Sequence, residues 1–337
     1  MSTASATAPT DGPRRLIAVI VLVPLIAALA LWAFAWPAAR TAPRDLPLGV
    51  AGPASATAQV EEQLAAHKGA FEIHHYADEA AAREAIEDRT VYGAVVVTAE
   101  GPELLTASAA SPVVAQLLQQ AVAAPAAAEG AQVRTVDVVA APVKDPRGAA
   151  LNASVLPLAL AGIAAGAVVT LSGLRGTRAV VGLVGASALV GAAAAGIAHS
   201  WLGVVTGDWW AEAGVFGLAA LAVSGAVAGL AALLGTAGIG IASGVIMLIG
   251  NPFSGAASAP QMLPAPAGVI GQWLPPGASA TLLRSVAYFD GAAAAGPVLT
   301  LTWWAALGLG AVLLGNALTT RRKSVAPTVE RELVPTG

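Results

Sequence analysis

Three of the four histidines, His67, His74 and His75, and two serines, Ser108 and Ser111, are the side chains of this sequence whose types and closeness could do chemistry. Imidazoles suit a zinc or copper site. His74 and His75, however, are adjacent in an alternating segment, and neighbours on a strand point to opposite faces, so the two do not share one ion. Ser111 precedes Pro112 and reads as a helix N-cap. Neither it nor Ser108 has an acid or histidine at a spacing that would activate a nucleophile. HExxH, GxSxG, a GxxxxGK[ST] phosphate loop and paired intramembrane aspartates do not occur in the sequence. It also has no cysteine, and so no disulfide or thiolate site. The reading is of a non-enzymatic chain with no cofactor and no metal.

The most irregular stretch runs from Asn251 to Pro297. It opens Asn251-Pro252-Phe253-Ser254-Gly255 and carries Pro260, Pro264, Pro266, Pro275, Pro276 and Gly277 before Leu282-Leu283-Arg284-Ser285. It is too apolar for a free loop and too broken for a span. Irregular backbone survives at membrane depth only where protein or a watery cavity satisfies its amides. Two short helices dipping from the outer side are therefore expected, with a loop lying on the interface as the plain alternative. Asn251, Pro252, Gly255, Pro275, Pro276, Gly277 and Arg284 are the candidate re-entrant, translocation-segment residues. Arg284 and Asp290 are expected near the headgroups, snorkelling or pairing with each other.

Composition says what scaffold must hold these residues. Of 337 residues, 56% are apolar and 11% charged, and mean hydropathy is +0.72, against about 25% charged in ordinary soluble chains. Twenty acids against 17 bases give a net charge of −3, so no basic field exists to hold nucleic acid. The partner is a lipid bilayer. A span needs about 20 apolar residues, and Leu16–Trp36 meets this behind Arg14 and Arg15. Its apolar stretch is longer than that of a secretory signal, so it reads as an uncleaved anchor. Leu151–Gly173, Ala179–Trp201, Ala213–Leu234, the shorter Thr236–Gly250 and Val298–Leu318 follow, which makes six spans. Arg14, Arg15, Arg175, Arg178 and the cluster Arg321–Lys323 fall on one side, which places both termini in the cytoplasm. The eight tryptophans fall near the opposite, outer interface, which indole prefers. Gly162 with Gly166, Gly225 with Gly229, and Gly240 with Gly244 are spaced for close helix packing. The loop Leu202–Glu212 is assigned outside, and no acid, Lys or Arg lies deep in a span, which argues against a proton-driven carrier.

Residues 37–150 differ in kind, with 14 acids against 8 bases, a local balance of −6. Leu46–Val50, Phe71–Tyr76, Val91–Thr98, Glu103–Thr106 and Val133–Val139 read as strands. Ala56–His67, Asp78–Asp88 and Pro112–Val122 read as helices. That order predicts an open α/β sandwich displayed outside the cell. The fold class is thus an α-helical polytopic membrane protein of six spans, with an extracytoplasmic α/β domain inserted between spans 1 and 2. Its parts are a tail at 1–15, a span at 16–36, the domain at 37–150, a five-span block at 151–320 with the re-entrant segment at 251–297, and a tail at 321–337.

Several segments carry a likeness to a known family: Leu46–Pro53 (LPLGVAGP), Ala85–Gly93 (AIEDRTVYG), Ala107–Leu118, Asp145–Gly148, Asn251–Pro260 (NPFSGAASAP), Leu274–Gly277, Leu283–Ser285 and Tyr288–Gly291. With the architecture, they resemble ABC transporter permeases of the ABC-2 type, and within them the phage-infection-protein-like, actinobacterial integral membrane subgroup. The resemblance implies a permease half that forms a homo- or heterodimer and couples to a separate cytosolic ATPase, exporting a hydrophobic or envelope-related substrate. The amphipathic coupling helix of such exporters is not evident near Thr10–Arg15. The alternative is a membrane-anchored envelope scaffold or receptor whose outer domain binds a ligand.

Overall fold

The computed structural model describes residues 11–99, 101–123 and 132–325. Most of both expected tails and the alanine-rich link before the last strand lie outside the described residues. Helix α1 (Asp11–Ala39) leads into a small α/β domain. Its elements are β1 (Leu46–Ala51), α2 (Ala54–Ala65), β2 (Phe71–Tyr76), α3 (Glu79–Glu87), β3 (Gly93–Thr98), β4 (Gly101–Thr106), α4 (Pro112–Leu118) and β5 (Arg134–Asp137). The strands lie in the order β2-β1-β3-β4-β5, and only the β3–β4 pair, closed by a tight turn, is antiparallel.

The order of elements is the one the alternation predicts. β1 is an interior strand and pairs in parallel on both sides. Its LPLGVA run is therefore apolar throughout and almost wholly buried, as a strand covered on both faces must be. Leu48, Val95 and Leu104 pack on one face with Leu64 of α2 and Leu118 of α4. Ala94, Val96 and Leu105 pack on the other with Ala82, Ala85 and Ile86 of α3. Both cores are completed from outside the domain, by Ala259 and Met262 on the first face and Phe289 on the second. A fully buried side chain of this size contributes about 2 kcal/mol, so the domain is fused to the distant stretch that supplies them.

The rest is helical: α5 (Ala149–Leu171), α6 (Gly176–Ala195), α7 (Trp209–Leu234), α8 (Thr236–Val245), α9 (Ala267–Trp273), α10 (Pro275–Tyr288) and α11 (Ala295–Val325). Among the described residues five helices are long and apolar enough to cross a membrane: Leu16–Ala39, Ala149–Leu171, Gly176–Trp201, Trp209–Leu234 and Ala295–Arg321. The sixth expected span, Thr236–Gly250, is ten α-helical residues continued by five in a π turn. At 1.5 Å per residue it reaches only about 22 Å, short of the hydrocarbon thickness. α7 is the hub, with 61% of its apolar stretch buried against 6% for α1. Carbonyl or side-chain atoms of α7 meet Gly162 and Gly166, and Gly225 and Gly229 abut Gly308 of α11. The third expected pair does not pack: Gly240 and Gly244 face open space, because short α8 covers only its other side.

A second correction concerns Glu212. α7 starts at Trp209, earlier than the sequence reading places it, so Glu212 lies in the first helical turn and is fully buried. It accepts hydrogen bonds from Gly207 N at 2.7 Å and shares one with His199 Nδ1 at 2.9 Å.

Candidate functional site

The domain meets the broken segment through a turn that the sequence disguises. Asp78 caps α3 by accepting from Ala81 N at 2.9 Å. At the other end Thr90 N donates to Ala85 O (2.9 Å) and Arg89 N to Ile86 O (3.0 Å), the helix-stop motif whose left-handed residue is usually glycine. Here that residue is Arg89, at φ +60°. The turn delivers its side chain to α10, where Nη1 donates to Thr281 O at 3.0 Å and to Ser285 Oγ. The guanidinium also lies 5.2 Å from the Phe289 ring centre, within cation–π range. Three residues on, Tyr92 OH donates to Gln261 Oε1 at 2.9 Å. Burial pushes the Tyr92 phenol up, with Arg89 and Arg284 acting in the opposite sense, and burial lowers the Arg89 guanidinium. From the start of the domain, Ala42 N and Arg44 N donate to Met262 O and Gln261 O, both at 3.0 Å.

The broken segment satisfies much of its own backbone. Asn251 N donates to Ile246 O at 2.9 Å. Gln272 Nε2 donates to Ser254 O at 3.0 Å, and its Oε1 accepts from Thr281 Oγ1 at 2.7 Å. Gly255 turns the chain at φ +70°, where a Cβ would meet Pro260 N at 2.7 Å. Pro275 and Pro276 start α10, where a missing N–H costs nothing, and the Pro276 ring abuts Gly250 while Gly277 abuts the Gly271 carbonyl. The two short helices expected from sequence are present as α9 and α10. Trp304 Nε1 donates to Trp273 O at 2.8 Å, so the end of α9 lies level with a residue about 13 Å along α11.

Of the candidate residues, Asn251, Pro252, Gly255, Pro275, Pro276 and Gly277 shape the fold-back, and Arg284 alone reaches a polar cavity. Arg284 neither snorkels to the protein surface nor pairs with Asp290. It is 6% exposed, its Nη2 donating to Asn152 Oδ1 at 3.2 Å and to the Ala256 carbonyl, while Asp290 is exposed. The reason is that α10 is inserted against α5 and the 254–256 turn instead of lying on the surface. The cavity, about 270 Å³, lies between domain and broken segment and is lined by Arg89, Tyr92, Gln261, Gln272, Thr281 and Arg284 among others.

Sequence reasoning missed Arg89, Tyr92, Gln261 and Gln272. The available signal was the likeness segments: AIEDRTVYG, NPFSGAASAP, LRS and YFDG all converge on this junction. The other candidates are structural. Ser111 caps α4 by accepting from Val114 N at 3.2 Å. Ser108 gains an acid that spacing did not reveal: its Oγ donates to Asp137, and it accepts from Ala141 N at 2.8 Å, which ties β5 to the following loop. His75 lies 3.6 Å from Glu61 and His74 3.7 Å from Glu72. Among the described residues no group of three possible metal ligands forms.

Five helices of spanning length with an α/β domain between the first and second define a multi-pass membrane protein. Residues 14–144, covering nearly all of α1 and of the domain, match the family model described as ABC-2 family transporter protein, which supports the ABC-2 permease family seen as a likeness in the sequence. No curated protein and no solved structure matches the chain.

Proposed function

We propose that the chain is the membrane-spanning permease subunit of an ABC-type exporter that moves a hydrophobic or envelope-related substrate outward, powered by a separate cytosolic ATPase. The family match over residues 14–144 carries this reading. The domain boundaries follow the sequence reading, with the α/β domain extracytoplasmic, both termini cytoplasmic and two permease halves pairing in the assembly; this needs a sixth crossing, made by short α8 with the turn after it, whose Phe253 packs on Trp36 near the domain end of α1. The basic clusters at Arg14–Arg15, Arg175–Arg178 and Arg321–Lys323 support this orientation. The fold-back from Asn251 to Arg284 is the translocation segment, since it is a long irregular stretch buried among the helices. Binding energy from the ATPase would shift the halves between inward- and outward-facing states.

Copurification tests the partnership: tagged protein extracted in mild detergent is expected to bring down a cytosolic ATPase, and its recovery without one at every detergent strength overturns the exporter reading. The chain has no cysteine, so Lys68→Cys gives a single thiol on an exposed loop of the domain. A membrane-impermeant maleimide is expected to label it on intact cells. Labelling only after lysis inverts the orientation.

A further inference from the structure

The cavity between domain and broken segment holds two cations and no anion. Among the described residues its only charged lining residues are Arg89 and Arg284. Every hydrogen-bond partner of either guanidinium is neutral: the Thr281 and Ala256 carbonyls, Ser285 Oγ and Asn152 Oδ1. Among the described residues no carboxylate forms a salt bridge with either. Buried charges are ordinarily paired, and arginine cannot shed its proton to escape. Two guanidinium forks facing one chamber match a phosphate or carboxylate.

A second cavity shares a wall with the chamber. Gln272, Thr281 and Ala293 line both, and the second is about 1120 Å³. This trough runs beside α11 from Gly296 to Ala311, about 22 Å at 1.5 Å per residue, which exceeds the roughly 15 Å depth of one leaflet. Trp273, Leu299, Trp303 and Leu307 are among its walls, and no ionisable residue lines it. A cationic chamber sharing a wall with a long uncharged trough matches the polarity of one molecule. We infer that the two adjoining cavities together bind an anionic amphiphile, its acidic head on Arg89 and Arg284 and its hydrocarbon chain along α11, with the Gln272–Thr281 contact between them parting to admit it. The inference rests on the exporter reading in naming this amphiphile as the class of cargo.

The test is binding by the full-length protein. Delipidated protein in detergent is titrated with dioleoyl phosphatidylglycerol or dioleoyl phosphatidylcholine, and bound lipid is counted by native mass spectrometry. The anionic lipid is expected to bind at about tenfold lower concentration, the worth of one charged hydrogen bond. Arg89→Gln and Arg284→Gln should each remove that preference, and Thr300→Phe, which fills the trough, should weaken both lipids. Arg89→Gln, at the domain side of the chamber, decides the matter if Arg284→Gln fails to fold. Equal binding of the two lipids, a preference untouched by Arg89→Gln, or displacement of phosphatidylglycerol by inorganic phosphate at like concentration overturns the inference. In the ATPase-bound complex ATP turnover should release the lipid, and its retention overturns the assignment as cargo. Loss of the ATPase partner with charge-selective binding intact counts against the exporter reading alone. Charge-blind binding with the ATPase recovered counts against this inference alone.

Discussion

Arg89 occupies a left-handed turn where a residue with a Cβ costs about 1 kcal/mol more than glycine. Comparing Arg89→Gly with Arg89→Ala isolates that cost, since both lose the guanidinium. The glycine variant should be the more stable by about 1 kcal/mol, read as a higher thermal midpoint in detergent, and equal midpoints would show the turn to be relaxed. Tyr92→Phe removes the 2.9 Å bond to Gln261 and leaves that amide without its donor, at a cost of about 1 to 2 kcal/mol. This is the scale at which the sequence says least. Arg89 and Thr281 are 192 positions apart, and nothing in AIEDRTVYG distinguishes an arginine bound to a distant carbonyl from one on a solvated helix end. Ser111 was readable because capping is a local matter, settled within three residues.

Elements were far more legible. Alternation and β-branched runs place all five strands, and unbroken apolar stretches place the five long helices, because period and length are properties of the segment itself. Which glycine pairs meet a partner is not such a property. Gly225 lies against Gly308, while the equally spaced Gly240 and Gly244 face open space. Gly308→Val therefore forces α7 and α11 apart and should cost about 2 kcal/mol or more, whereas Gly240→Val should leave the thermal midpoint within the small spread of surface changes. Comparable losses in the two variants would mean that α8 is covered by a neighbour. Glu212 was assigned to a loop for a related reason: helix starts are hard to place, and Asp208, which caps α7 through Ala211 N at 2.8 Å, sits among residues that also read as a connection.

For the whole molecule, the division into domain and membrane part is clear in composition but incomplete in packing. Met262 and Ala259 finish one face of the sheet, and Phe289 finishes the other. A fragment spanning 40–148 thus lacks side chains worth several kcal/mol, a large share of a small domain's stability. Expressed alone it should unfold at much lower denaturant than the same strands do in the full chain, followed by hydrogen exchange. Equal protection in the two settings would show the added side chains to be dispensable.

This shared core also orders events at the ribosome. The last strand ends at Asp137, and Phe289 is made some 150 residues later, about ten seconds or more at ordinary synthesis speeds. During that interval the nascent sheet, already backed by its own helices, stands with a greasy patch uncovered on each face, exposed to proteases and to other growing copies, and it is sealed only when the penultimate helix arrives.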